Sequence, residues 1–283
     1  MVDVPELTEV PAADAPANAY DPADFGKLYP YARRVLSPIF KTLWRIDVQG
    51  LDNIPSDGGA VFCPNHTSVV DSFFLPLVLP RPIMFVGKAE YMDDWKTRRL
   101  FPGLGMIPID RAGGSASERA LNTAARVLEA GKFFGIYPEG TRARDGRLHR
   151  GHTGPARLAL RTSTPIIPVG IVGTREVQPP DAKLPKPFKR VSIRFGRPVD
   201  VTRYSERADD RMVLRQIIDE VMFEIRELSG QDYVDEYATK KAEGFPSAAT
   251  GHVASLEEAH AHGNGHASAP RRRSSADVLA QPG

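Results

Sequence analysis

The sequence predicts an α/β fold, a layered and mostly β sheet flanked by helices, with an amphipathic membrane-facing helical region ahead of it. Three observations predict this. Short apolar runs rich in β-branched and aromatic residues recur along the chain, each bounded by Gly or Pro. Stretches of helical periodicity separate them, the alternation expected of a layered α/β sheet. The 283 residues are 41% hydrophobic, enough to bury a sizeable core.

Residues 1–24 are rich in Pro, Ala and Asp, and every charged side chain among them is acidic. They are expected to be disordered. Residues 25–50, "FGKLYPYARRVLSPIFKTLWRIDVQG", mix large apolar groups with the bases Lys27, Arg33, Arg34, Lys41 and Arg45. That pattern suits a helical region lying in a lipid headgroup layer; the plainer alternative is a helix packed on the core with a solvated basic face. Pro30 and Pro38 are expected to kink or split it. Residues 51–240 then form the folded domain. Strands are predicted at 59–64, 82–87, 105–110, 133–138, 165–173 and 190–196. A helix is predicted after Ser115, where "SASE" reads as a capping box, ending near Gly131. A second covers about 207–228, with Leu214, Ile217, Val221, Ile225 and Leu228 on one stripe. Residues 241–283 are low in complexity and are expected to be a disordered tail.

The totals exclude several classes. One cysteine, Cys63, rules out a disulfide framework and points to a reducing compartment. The first residues lack the basic and apolar regions of a signal peptide, and no run of 18 apolar residues exists to span a bilayer. A cytoplasmic protein, peripheral on the inner face of the cell membrane through residues 25–50, is expected. Net charge is +2, and no nucleic-acid partner is expected.

The stretch "CPNHTSVVDSFF" (63–74) carries the clearest chemistry. A strand candidate precedes it and a helix candidate follows, so His66 falls in the turn, with Thr67 or Ser68 available as a cap. Asp71 enters the first helical turn, which rises ~5.4 Å and allows its carboxylate to fold back beneath the imidazole. Such a pair fixes the tautomer and stabilises the imidazolium. No serine nucleophile accompanies it, so a substrate alcohol is the natural attacker. The competing reading gives His66 and Asp71 a purely helix-capping role. Cys63, three residues away, is a rival nucleophile, although a lone cysteine inside an apolar strand is usually inert packing.

Two further stretches offer anion-binding groups at strand ends, where ligands gather in α/β sheets. "YPEGTRARDG" (137–146) supplies Glu139, Gly140, Thr141 and Arg142, and "GMIPIDR" (105–111) delivers Arg111. Two arginine forks can clamp one phosphate. Surface arginines salt-bridged to Glu139 are the plainer alternative. His149 and His152 have metal-ligand spacing, but no third ligand stands near them and no metal is expected. In "TSTPIIPVGIVGT" (162–174), Pro165 and Pro168 should break the ladder, which suggests an edge or a bulge.

In order, "NHTSVVD", "GMIPIDR", "YPEGTR" and "IIPVGI" resemble the four motifs of the glycerolipid acyltransferases. The nearest type is the 1-acylglycerol-3-phosphate (lysophosphatidate) acyltransferases with a PlsC-like domain, over about residues 35–200. The resemblance implies the fold of that family, with His66 as base and Asp71 as its orienting partner. It implies Arg111, Glu139, Gly140, Thr141 and Arg142 as the acceptor site, and Pro168 on the donor side. It also implies acyl-CoA or acyl-carrier protein as donor, a lysophospholipid acceptor, and no bound cofactor. The sequence departs from the family after the third motif, where "RLHRGHTG" partly replaces basic residues with histidines.

Overall fold

The computed structural model describes residues 26–88, 104–109 and 116–239. The predicted disordered ends and the Ser115 capping box lie outside them. Among the described residues seven strands form one sheet. Numbered along the chain, they are β1 (Arg45–Gln49), β2 (Ala60–Pro64), β3 (Ile83–Lys88), β4 (Met106–Ile109), β5 (Phe133–Gly135), β7 (Ile166–Val172) and β8 (Arg190–Phe195), in the spatial order β1-β8-β7-β2-β5-β3-β4. Pairing is parallel throughout except between β7 and β8. Two short strands, β6 (Leu148–His149) and β9 (Tyr233–Val234), pair separately.

Alternation along the strands sends side chains to two opposite layers. Val61, Cys63, Phe134 and Ile166 face a core closed by three helices: α3 (Ala116–Glu129), α4 (Gly154–Thr162) and α6 (Arg211–Ser229). On the other side Phe62, Phe133, Ile167, Val169 and Ile193 pack with Trp44, Phe74 and Leu75, beneath α1 (Tyr29–Leu43) and α2 (Asp71–Val78). A four-residue helix, α5 (Thr174–Val177), follows β7. Helix α6 lies close on β7, because Gly170 has no side chain; a Cβ there would stand 2.6 Å from the Leu228 main chain.

Three expectations are corrected. Residues 25–50 are not one helical region: α1 ends at Leu43 and "RIDVQ" becomes edge strand β1 beside β8. Its polar residues suit an edge, where one side is open to solvent. Nor does Pro38 split α1. The proline costs about 3 kcal/mol, but packing on both sides of it holds the helix against α2. Tyr29 donates its hydroxyl to the Pro76 carbonyl, and Phe40, Trp44 and Phe74 form a ring cluster with centroids 4.9 to 5.4 Å apart. Pro30 is harmless in the first turn. Finally, β7 is central, not an edge. The bulge alternative holds: Ile166 bridges Val199 while Val169 pairs with Phe195, so one strand has an extra residue opposite Pro168, where no proline N–H is needed.

Candidate active site

The site stands where the adjacent parallel strands β2 and β5 end. Chain leaving β2 gives Asn65, His66, Thr67 and Ser68; chain leaving β5 gives Tyr137 and Glu139. His66 Nδ1 lies 3.0 Å from Asp71 Oδ2. The same oxygen accepts the Thr67 and Ser68 amides, each at 2.9 Å, so Asp71 builds the turn that carries its own partner. This replaces the expected cap: neither hydroxyl caps α2. Thr67 Oγ1 lies 3.4 Å from Thr174 Oγ1, and Ser68 Oγ donates to the Gln178 carbonyl at 2.8 Å.

Asp71 is fully buried, while the His66 side chain keeps 15% exposure. With Nδ1–H donating to the carboxylate, Nε2 carries the lone pair. Tyr137 stacks on the imidazole, centroids 3.8 Å apart at 16°, and its hydroxyl meets Ser72 Oγ at 2.7 Å. Burial pushes the Tyr137 phenol far up, with Asp71 adding to the shift. The ring is therefore a neutral wall that orients the imidazole.

The third motif grips His66 through its backbone. The His66 N–H donates to Glu139 Oε1 at 3.0 Å, and its carbonyl accepts the Ala143 amide at 2.7 Å. Glu139 Oε2 accepts the His149 amide at 3.0 Å. Glu139 is 1% exposed and burial raises its carboxyl to about 7, against the pull of the His149 and His66 amides. This corrects both expectations for Glu139. It faces inward as a strut between two loops, not toward an acceptor, and no arginine pairs with it among the described residues. Gly140 adopts φ +72°, which turns the chain sharply so that Thr141 and Arg142 follow, both half-buried. Arg142 makes no ion pair among the described residues. Arg111 lies outside the described residues; β4, which leads to it, stands three strands from β2.

Pro168 is not brought to the site. It is buried in β7 opposite Cys63, on the α6 face, where Gly196 and Leu228 adjoin it; His66 and Tyr137 belong to the opposite face. Cys63 is also buried in that core, and burial drives its thiol far above the ordinary range, which removes it as a nucleophile. His149 Nε2 lies 3.1 Å from both Asp145 oxygens, and His152 stacks on Tyr237 at 4.5 Å. Among the described residues no three potential ligands gather for a metal.

Sequence reasoning missed Asn65, Tyr137 and Gln231. Asn65 is 1% exposed. Its Oδ1 accepts the Ile171 amide at 2.7 Å, and its Nδ2 donates to the Ile171 carbonyl at 2.9 Å and to Gln231 Oε1 at 2.7 Å. Gln231 donates onward to the Gly146 carbonyl at 2.8 Å, joining the His66 turn to the 140s loop. A buried amide beside His66 was signalled by the "NH" pair; Gln231, 166 residues away, carried no local signal.

An imidazole–carboxylate pair at the ends of two parallel strands, beside a glycine-turned loop that carries Arg142, is the site to be set against known proteins. Residues 45–172, β1 through β7, match the acyltransferase family model, and the chain is similar to known 1-acylglycerol-3-phosphate acyltransferases. A chloroplastic 1-acyl-sn-glycerol-3-phosphate acyltransferase of Brassica napus is 30% identical over 143 residues, 50% of this chain and 40% of that protein. An uncharacterised protein of Mycobacterium leprae is 30% identical over 233 residues, 67% of this chain and 60% of its own length. The crystal structure of the 1-acyl-sn-glycerophosphate acyltransferase PlsC of Thermotoga maritima superposes with a TM-score of 0.59 at 25% identity, covering 71% of this chain and 78% of that one. The chain spans less than half the length of the plant relatives it matches.

Proposed function

We propose that this chain moves a fatty acyl group from a thioester, acyl-CoA or acyl-carrier protein, to the sn-2 hydroxyl of lysophosphatidate, forming phosphatidate. Nε2 of His66 takes the hydroxyl proton as that oxygen attacks the thioester carbonyl. Asp71 stabilises the imidazolium that forms. The tetrahedral intermediate then expels the thiolate, which recovers the proton from the imidazolium. Arg142, with Arg111 completing the clamp, holds the acceptor phosphate, and that anchoring lowers the barrier by orientation. Thr141 lines the same loop. No metal or bound cofactor enters this scheme.

One observation carries the reading. The imidazole is bound to a carboxylate on one nitrogen, while the nearby cysteine is sealed in the core. This supports an attacking group that comes with the substrate. Product lipids suit a chain docked on the inner face of the cell membrane. Leu28, Tyr31, Val35 and Ile39 support that, since they form an exposed apolar stripe on α1, flanked by the exposed bases Arg34 and Lys41. Among the described residues no helix is long and apolar enough to cross a membrane.

The test is transfer of labelled acyl groups to lysophosphatidate, glycerol 3-phosphate and neutral lysolipids in parallel. Phosphatidate made from lysophosphatidate is the expected product. Preference for a neutral lysolipid would remove the phosphate clamp, and free acid released without acceptor would assign hydrolysis instead.

A further inference from the structure

The loop between α5 and β8 has no part in the chemistry above, yet it is tied directly to the catalytic turn. Its first residue, Gln178, accepts the Ser68 hydroxyl at 2.8 Å. Asp181 is held by Arg144 of the 140s loop at 2.6 Å. At its far end, the Trp44 indole donates to the Lys186 carbonyl at 2.8 Å and the Phe188 amide donates to the Leu43 carbonyl at 2.6 Å. The loop thus runs from the base's turn to the end of α1.

What it exposes is unusual for a surface loop. Leu184 is 79% and Phe188 76% exposed, and both project from a segment with no acid between Ala182 and Arg190. Lys183, Lys186 and Lys189 are interleaved with them, all exposed. Phe188 moreover sits at φ +62°, a conformation that bulky residues seldom adopt. A large ring held there against solvent gains nothing from the folded chain's own packing. The neighbouring acids are already engaged: Asp181 by Arg144, and Asp47 by Arg190 at 4.0 Å.

We propose that the segment Lys183–Lys189 is a lipid-surface anchor, with Leu184 and Phe188 entering the headgroup boundary and the three lysines meeting anionic headgroups. Exposed apolar groups among uncompensated lysines are complementary to an anionic bilayer. Because the loop is bonded both to the end of α1 and to Ser68, anchoring it sets the mouth of the site against the lipid from which the acceptor comes. The proposal deepens the reading of a membrane-surface enzyme and rests on it.

Pelleting with vesicles of phosphatidylcholine alone, and of phosphatidylcholine mixed with phosphatidylglycerol, tests it. Leu184→Ser/Phe188→Ser should lower partitioning on both vesicle types by about tenfold or more. Lys183→Ala/Lys186→Ala/Lys189→Ala should lower it on the anionic vesicles alone, by about fivefold per lysine. Turnover of a monomeric short-chain acceptor should be unchanged in both, which shows a folded site. Phe188→Trp should add fluorescence that brominated lipids quench. Native partitioning by both loop variants overturns the anchor; if Val35→Ser/Ile39→Ser alone then loses binding, α1 acts without the loop. Loss of binding to an immobilised acidic carrier protein, with vesicle partitioning intact, also overturns it and gives the lysines to the donor.

Discussion

His66 and Glu139 are joined through main chain, not through the imidazole: the His66 amide donates to a Glu139 oxygen at 3.0 Å. Burial places the Glu139 carboxyl near 7, so the folded chain holds a proton between about pH 4.5 and 7 that the unfolded chain releases. Stability from this group therefore falls as pH rises through that window, by up to about 3 kcal/mol. Glu139→Gln should flatten that slope and lower stability at pH 5, since one amide then faces an NH2 group. Urea unfolding at pH 5 and pH 8 measures both.

His66→Ala should abolish transfer while the thermal midpoint stays near native, because Asp71 still gathers the Thr67 and Ser68 amides. Asp71→Asn keeps an acceptor for those amides but loses the charge that stabilises the imidazolium. Its kcat should fall by about 10²–10⁴-fold. Near-native turnover in either variant would remove the base assignment.

Arg142→Ala should raise KM for lysophosphatidate about ten- to a hundredfold with a smaller change in kcat. The same variant should lose much of the salt sensitivity of KM. An unchanged KM would take Arg142 out of the acceptor site.

Asn65→Ala strands the Ile171 amide and carbonyl and one end of Gln231. A loss of about 3 kcal/mol is expected, on the order of 10 °C in Tm. Gln231→Ala keeps the Ile171 bonds, so its stability loss should be smaller. Calorimetry of the two variants separates these contributions.

Cys63→Ala should retain full kcat and lose about 1 kcal/mol of stability, the packing of one small buried group. The native protein should resist thiol reagents until it unfolds.

The buried strands could be read from the sequence because each is an apolar run closed by Gly or Pro, as "AVFCP" shows. His66 and Asp71 were readable for a similar reason: their contact spans one turn of chain. Strand β1 was hidden because "RIDVQ" is half polar, and its partner β8 lies about 145 residues away (Arg45 to Arg190). Pro38 misled because propensity says nothing of the ring cluster that overrides it. Glu139 misled because charge type reveals a carboxylate but not which way it points; 73 residues separate it from the amide it accepts. Pro168 likewise gave its backbone role but not its face of the sheet.

The double hold on His66, at Glu139 and at Ala143, has a consequence for the acceptor in the proposed reaction. The His66 turn and the Arg142 loop share one hydrogen-bonded frame, so on the proposed reading the span between proton acceptor and phosphate anchor is set before any guest arrives. If that reading holds, an acceptor whose hydroxyl lies one bond nearer to or farther from its phosphate should be turned over more slowly, a discrimination by length.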